Sequence, residues 1–487
     1  MADNDGRDGL RQKIGFVLGP AVLLAMIAMT PPGGMDATAW RAAAAGLLMA
    51  IWWITEALPI TATALVPLAL FPTLGIAPFP QAAAPFANPV VFLFLGGFLI
   101  AAALERCGLH RRIAIRIIGL VGTRPANLIG GFMAATAFLS MWVSNTATVV
   151  MLLPMATSVI DAIERDASEP GQYRNFSIAL LLGISYAASI GGVGTLIGTP
   201  PTALLAGFMS ESYGIEIGFG QWMLVGVPMV VVGIPMTWLL LTRVLHPVGR
   251  VHLEGGKELF ARQAAELGPM SRAEKTVAVL STLTALAWVT QPILSRVWTG
   301  VTDAGIAMTG GVLMFLVPVD WKGGVYPLRW QDADRIPWSI LVLFGGGLSL
   351  ADAVQSSGLA DTIGAGMASF GGLPLPALMI IITLILIFLT ELTSNTATAA
   401  TFLPVVASVG VGMGHAPMLL AAPAAMAAGL SFMMPVGTPP NALIFATGRL
   451  TVPIMARAGL LLNLLFAALI QLAMYGIALR VFGLDPG

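Results

Sequence analysis

One polar triplet, Ser-Asn-Thr, occurs twice in the chain, each time at the start of a similar apolar segment. Residues 144–159, SNTATVVMLLPMATSV, match residues 394–409, SNTATAATFLPVVASV, at nine of sixteen positions, 250 residues further on. Beyond each triplet, GTPPTAL at 198–204 matches GTPPNAL at 437–443 at six of seven positions. Shared hydrophobicity alone does not place polar and proline residues in register, so we expect two copies of one structural unit.

The apolar content predicts that both copies lie in a membrane. Of the 487 residues, 57% are hydrophobic and only 10% are charged, and the mean hydropathy is +0.87. Soluble domains carry about 25% charged residues. Apolar runs long enough to cross a hydrocarbon layer of about 30 Å recur along the whole chain. We therefore expect an all-α polytopic protein of the plasma membrane, which is the inner membrane in a bacterium.

The apolar runs divide the chain into four predicted parts. These are an N-terminal segment with the first transmembrane helix (1–35), a first repeat (36–250), a charge-rich cytoplasmic linker (251–272) and a second repeat (273–487). Single helices are predicted near 14–30, 38–58, 60–76, 88–105, 221–242, 273–294, 303–319, 337–354 and 458–481. Each repeat also holds a two-helix hairpin, 126–164 or 373–410, and a broken helix, 175–210 or 416–448, interrupted at Gly198 or Gly437.

The two repeats are predicted to have opposite orientations in the membrane. An odd number of crossings separates the helix near 88 from its counterpart near 337. The segment 106–124 holds five arginines, whereas its counterpart 356–374 holds neither lysine nor arginine. Basic residues favour the cytoplasmic side, so 106–124 and the N-terminus are expected inside. The hairpins would then enter from opposite faces, and their tips would meet near the middle of the membrane.

The triplets and the GTPP segments have the chemistry of an ion site. Serine and asparagine are good N-caps, so each triplet is expected to open the second helix of its hairpin. The prolines disfavour helix before them and free backbone carbonyls, which a membrane tolerates only in a protein-lined cavity. Such oxygens suit a small alkali cation, and helix N-termini suit an anion. No lysine or arginine lies in these stretches, so a dianion would need bound cations, which favours sodium coupling.

Two acidic residues in apolar surroundings are further candidates. Glu56 and Glu391 are functional candidates by default, because a carboxylate inside a membrane is costly. Glu391, three residues before Ser394, has two interpretations: it is a proton carrier, or it braces the hairpin through hydrogen bonds. The segment 109–121 is basic and amphipathic, which is typical of a helix along the cytoplasmic interface.

These residues resemble the divalent anion/sodium symporter family, which carries Krebs-cycle dicarboxylates, citrate or sulfate. The resemblance rests on both triplets, both GTPP breaks, WWITEALP at 52–59 and LTELTSNTAT at 389–398, and it covers nearly the whole chain. It implies a homodimer in which each chain has about 11 transmembrane helices plus two re-entrant hairpins. It also implies a fixed scaffold domain and a transport domain that moves like an elevator.

The resemblance also implies the roles of individual residues. One sodium site would comprise Ser140, Ser144, Asn145 and the Gly198 carbonyl. The second sodium site would comprise Thr390, Ser394, Asn395 and the Gly437 carbonyl. The dicarboxylate would lie between Asn145, Thr146, Thr199 and Pro200 on one side and Asn395, Thr396, Thr438 and Pro439 on the other.

The function expected from the sequence is sodium-coupled symport that imports C4 dicarboxylates such as succinate, fumarate or malate. Alternatives are a dicarboxylate exchanger without sodium and a sodium symporter for sulfate or citrate. Ser140 and Thr390, as sodium ligands, favour symport. The chain has no nucleophile paired with a general base at membrane depth, so an enzyme is not expected. The expected partners are the dicarboxylate, sodium as coupling ion, lipid and a second copy of the chain, without organic cofactor or nucleic acid.

Overall fold

The computed structural model describes residues 5–122, 124–165, 173–248, 262, 265–368 and 373–485. This part of the chain is helical, with one isolated bridge between Asp320 and Val325. The helices of the first half are α1 (Asp5–Ala28), α2 (Ala37–Thr55), α3 (Ile60–Thr63), α4 (Val66–Leu74), α5 (Phe79–Ala83), α6 (Pro89–Arg106), α7 (Leu109–Leu120), α8 (Pro125–Ser140), α9 (Asn145–Arg165), α10 (Arg174–Gly192), α11 (Pro200–Tyr213) and α12 (Phe219–Leu239). Those of the second half are α13 (Arg272–Val297), α14 (Asp303–Leu316), α15 (Trp338–Ser356), α16 (Leu359–Ala368), α17 (Leu375–Leu389), α18 (Asn395–Gly412), α19 (Met418–Ala428), α20 (Pro439–Phe445), α21 (Val452–Ala473) and α22 (Leu479–Phe482).

Ten helical segments of the described chain are long and apolar enough to cross a membrane, and five shorter apolar segments accompany them. The shorter ones are α3 with α4, α8, α14, α17 and α19. The predicted all-α polytopic membrane class is confirmed. The helix predicted over 60–76 is divided into α3 and α4, and the first helix begins nine residues earlier than predicted, at Asp5. The predicted linker 251–272 lies mostly outside the described residues.

Each Ser-Asn-Thr triplet stands at the short turn that joins two consecutive helices. In the first pair, α8 ends at Ser140 and α9 begins at Asn145; in the second, α17 ends at Leu389 and α18 begins at Asn395. The Ser144 hydroxyl caps α9 by accepting a 3.3 Å hydrogen bond from the Ala147 amide. Ser394 occupies the same position before α18, but its side chain makes no cap hydrogen bond. Both triplets therefore open a helix, and only the first does so with a serine cap.

The GTPP segments restart helices after a stretch of irregular backbone. The chain is non-helical from 193 to 199 between α10 and α11, and from 429 to 438 between α19 and α20. Thr199 and Thr438 are the extended residues that precede the new helices, and prolines fill the first two helical positions. Proline fits there because the first amide groups of a helix have no partner within it. Each break thus has local causes, although the second is three residues longer.

Two equivalent glycines allow very close approach of neighbouring segments. A methyl group on Gly96 of α6 would overlap the backbone of Ala307 in α14, and one on Gly346 of α15 would overlap the backbone of Ala64. Two residues before these glycines, the equivalent residues Phe94 and Phe344 meet edge to face, with ring centroids 4.8 Å apart. The helices α6 and α15 are therefore fixed to their neighbours by backbone contact as well as by side chains.

The basic amphipathic segment forms α7, but one of its arginines is buried. The Arg112 guanidinium pairs with the Glu274 carboxylate at 2.6 Å and donates a 2.8 Å hydrogen bond to the Gly268 carbonyl. A buried arginine needs such partners, since an unpaired charge inside a protein is costly. α7 is therefore anchored to the start of α13 by a specific ion pair.

Candidate functional site

A cavity of 490 Å³ lies where the two hairpin turns and the two GTPP breaks come together. Both triplets and both GTPP segments contribute to its wall, so segments separated by about 250 residues share one chamber. Twelve of the fourteen residues predicted for the sodium and substrate sites line it: Ser144, Asn145, Thr146, Gly198, Thr199, Pro200, Ser394, Asn395, Thr396, Gly437, Thr438 and Pro439.

The other two predicted residues, Ser140 and Thr390, lie just behind the wall and hold the asparagines in place. The Ser140 hydroxyl makes a short hydrogen bond to Asn145 Oδ1, and the Thr390 hydroxyl donates a 2.6 Å hydrogen bond to Asn395 Oδ1. Ser140 and Thr390 are both fully buried. The two turns thus share the same hydrogen bond over the same five-residue spacing, in spite of the change from serine to threonine.

In the first half, two oxygen atoms face a space that a glycine keeps open. A methyl group built on Gly192 would lie 2.8 Å from Asn145 Oδ1 and 3.1 Å from the Gly198 carbonyl oxygen. The two oxygens can therefore be reached from one point beside Gly192. Uncharged oxygens grouped in this way are hard ligands of the kind that small cations prefer.

In the second half, Thr390 contacts both the hairpin turn and the second break. Its hydroxyl also lies 3.1 Å from the Ala428 carbonyl, the last residue of α19, so it joins the hairpin turn to the second break. Helices α9 and α18 both begin at the cavity wall. The positive ends of their dipoles therefore face the cavity, which favours an anion there.

Glu391 is buried beside the second half-site and is surrounded by hydrogen-bond donors. It is 3% exposed, so water does not solvate the carboxylate. The five donors are the Ser431 hydroxyl (2.8 Å), the amides of Phe432 (2.6 Å), Met433 (2.9 Å) and Met434 (3.0 Å), and the Asn463 side chain (2.9 Å). Three of these donors are consecutive backbone amides, so the side chain of Glu391 holds the irregular backbone of the second break in place. The geometry thus favours the bracing interpretation over the proton carrier.

The cavity also has a charged edge that the sequence did not predict. Arg11 and Gln12 of α1 line it together with Thr55 and Glu56 at the end of α2, and we call these four residues the mouth. No lysine or arginine lies within the triplets or the GTPP segments, but the fold brings Arg11 from α1 to the same cavity. WWITEALP was a signal for Glu56, whereas nothing in the sequence pointed to Arg11, nor to the aromatic wall residues Phe94 and Phe98.

Similarity to known proteins extends over nearly the whole chain. The family model described as the sodium:sulfate symporter transmembrane region matches residues 11–482. The chain belongs to this family. The sodium-dependent dicarboxylate transporter SdcS of Staphylococcus saprophyticus is 40% identical over 481 residues, which cover 97% of this chain and 93% of that protein. SdcS of Staphylococcus aureus strain USA300 is 41% identical, over 97% of this chain and 92% of that protein.

Solved structures of two transporters share the fold at low sequence identity. The YdaH transporter of Alcanivorax borkumensis aligns with a TM-score of 0.58 and 16% identity, covering 91% of this chain and 99% of that one. MtrF of Neisseria gonorrhoeae aligns with a TM-score of 0.55 and 14% identity, covering 82% and 84%. These likenesses concern the fold alone.

Proposed function

We propose that the protein is a sodium-coupled symporter that imports C4 dicarboxylates such as succinate, fumarate or malate. The observation that carries the proposal is the single cavity lined by both triplets and both GTPP segments. The names of the SdcS relatives, sodium-dependent dicarboxylate transporters, agree with it in cation and substrate class. The family description also includes sulfate, so sulfate is the competing substrate in the test below.

In this proposal the oxygens of each half hold a sodium ion, and the dianion lies between the halves. Ser140, Ser144, Asn145 and the Gly198 carbonyl would form the first sodium site. Thr390, Ser394, Asn395 and the Gly437 carbonyl would form the second. The dianion would contact the remaining predicted wall residues, Thr146, Thr199, Pro200, Thr396, Thr438 and Pro439, together with both asparagines. The bound sodium ions and the helix dipoles would then balance its two charges.

The transport cycle in this proposal is of the elevator type. The two hairpins, with α10, α11, α19 and α20, would move as one transport domain against a scaffold, and two copies of the chain would form a homodimer surrounded by lipid. The N-terminus would be cytoplasmic, as the arginines of 106–124 indicate. Broken helices that meet at one cavity support such a cycle, since this arrangement is typical of alternating-access transporters.

The proposal is tested by uptake of radiolabelled succinate into proteoliposomes. We expect uptake driven by an inward sodium gradient and abolished when choline replaces sodium. Thr146→Ala and Thr396→Ala should each lower uptake at least ten-fold, while Thr146→Ser and Thr396→Ser, which keep the hydroxyl, should retain most of it. Succinate uptake that is unchanged in choline would contradict sodium coupling, and sodium-dependent uptake of sulfate but not succinate would reassign the substrate.

A further inference from the structure

The mouth brings one positive and one negative side chain to a cavity whose other wall residues are uncharged. Arg11 and Glu56 are the two charged residues among those that line the cavity. Arg11 lies near the start of α1 and Glu56 directly follows α2, so the packing of these two helices places both at the same edge. A dianion that enters this cavity meets the Arg11 guanidinium as its only cationic wall side chain within the described part of the chain.

The contacts of Arg11 are long and use only part of the hydrogen-bonding capacity of its guanidinium. Its Nε donates to the Thr55 carbonyl at 3.3 Å, its Nη1 to the Leu392 carbonyl at 3.4 Å, and its Nη2 lies 3.6 Å from Glu56 Oε1. The side chains of Arg11 and Glu56 are 40% and 46% exposed. Exposed ion pairs of this kind contribute little to stability. The pair can therefore exchange partners without loss of the fold.

Glu56 holds its position in a strained backbone conformation. Its φ of 51° and ψ of 35° are left-handed, and among the described residues it is the one non-glycine residue with positive φ. Glycine is the usual residue at such a helix end, because a side chain there costs about 1–2 kcal/mol. Strain of this kind persists mainly at functional sites. The strained backbone therefore indicates a functional role for Glu56, the acid beside Arg11.

Leu392 links Arg11 to the substrate region. Arg11 bonds to the Leu392 carbonyl, three residues before Asn395, so the guanidinium stands beside the second hairpin turn. A C4 dicarboxylate carries its two charges at separate ends, so one carboxylate can stay at the helix N-termini while the other reaches the mouth. Sulfate carries both charges on one centre and cannot occupy both places.

We propose that Arg11 is a substrate-binding residue that takes the outer carboxylate of a dicarboxylate, and that Glu56 competes with the substrate for the same guanidinium. The proposal rests on the dicarboxylate transport proposed above. An arginine fork matches a carboxylate through two parallel hydrogen bonds, which are stronger than the long contacts that Arg11 makes here. The pair thus sets affinity and favours dicarboxylates over sulfate.

The test is a double-mutant cycle on succinate uptake, with KM and Vmax measured separately. Arg11→Gln should raise the KM for succinate about ten-fold and leave Vmax within about two-fold, because a charge-assisted contact is lost. Glu56→Gln should lower that KM about three-fold, because the competing carboxylate is removed. In the Arg11→Gln background, Glu56→Gln should have no effect. Inhibition of succinate uptake by sulfate, expressed as its inhibition constant, should change less than two-fold in every variant.

The opposite signs distinguish substrate binding from a simple tether. If the pair only held α1 and α2 in place, both single variants would break the same contact and change KM or Vmax in the same direction. That outcome, or an unchanged KM in Arg11→Gln, would overturn the proposal. Lys13→Gln, on the same helix but outside the cavity wall, is the matched control for loss of one positive charge. Failure of the unmutated protein to take up succinate would instead count against the proposed function.

Discussion

The two broken segments of the molecule, 193–199 and 429–438, follow matching sequences but are held by different chemistry. In the first, the Thr195 hydroxyl donates to the Met141 carbonyl at 2.6 Å, and the Trp222 indole donates to the Val193 carbonyl at 2.9 Å. In the second, Glu391 accepts hydrogen bonds from three successive backbone amides. Met141 and Glu391 occupy equivalent positions, 250 residues apart.

The two halves share one hydrogen bond at the cavity but differ in the groups that support it. The hydrogen bond from Ser140 or Thr390 to an asparagine is common to both, and it orients an oxygen at the cavity. The support behind the wall comes from a threonine hydroxyl and a tryptophan indole in one half and from the carboxyl group of Glu391 in the other. The hydrogen bond that orients the asparagine is thus duplicated, whereas the means of fixing irregular backbone is not, and the second half depends on a single buried acidic side chain.

The largest difference between the halves should come from the equivalent residues Glu391 and Met141. Glu391→Gln should lower the free energy of unfolding by about 3 kcal/mol, because an amide nitrogen in place of either carboxyl oxygen leaves one or two backbone amides without an acceptor. Met141→Leu should cost less than about 1.5 kcal/mol, because the first break uses only the backbone carbonyl of Met141. Thermal unfolding in detergent measures both. Equal shifts of the two midpoints would show that the Glu391 carboxyl group is not needed to hold the second break.

The next largest difference should be between alanine substitutions at Gly198 and at Gly437, the glycines of the two GTPP segments. A methyl group on Gly198 would overlap the backbone of Gly192, which cannot move aside, so Gly198→Ala should cost about 2–3 kcal/mol and most of the uptake. On Gly437 the methyl group meets the Ser431 hydroxyl, which can rotate away. Gly437→Ala should therefore cost about 1 kcal/mol, the value of one hydrogen bond. Unfolding midpoints and succinate uptake, measured together, check this order; a more harmful Gly437→Ala would reverse it.

The smallest effect on stability should come from Thr195, whose hydroxyl supports the first break. Thr195→Val removes the hydroxyl that reaches Met141 and leaves a buried carbonyl unpaired, which should cost about 1 kcal/mol. Thr195→Ser keeps the hydroxyl and is the matched control. Both are compared by thermal unfolding in the same detergent. Identical midpoints for the valine and serine variants would mean that the Trp222 hydrogen bond alone holds the segment.

The parts of the fold that the sequence predicts are those with local causes. The triplets open α9 and α18, the first with a serine cap, and the prolines of both GTPP segments restart a helix; these effects act within a few residues. The gathering of these segments around one cavity was predicted from the duplication. These signals need no knowledge of the tertiary packing.

The features that were missed depend on packing between distant segments. Arg11 reaches the cavity only because α1 lies against α2, and no local pattern reports that contact. Glu391 was recognised as a candidate, but its partners at 431–434 lie about 40 residues further along the chain. The greater length of the second break was not predicted either. The residues that match the first break begin only at Gly437, so the sequence does not show where α19 ends.

The backbone contacts at Gly96 and Gly346 have a practical consequence for experiments on motion. Where main chain touches main chain, no rotamer can change between the two surfaces, and neither a lipid tail nor a water molecule has room to wedge them apart. The pairs formed by α6 with α14 and by α15 with Ala64 are therefore suitable as fixed reference positions. Distances from spectroscopic labels on their outer faces to labels on the hairpins would measure any displacement of the hairpins.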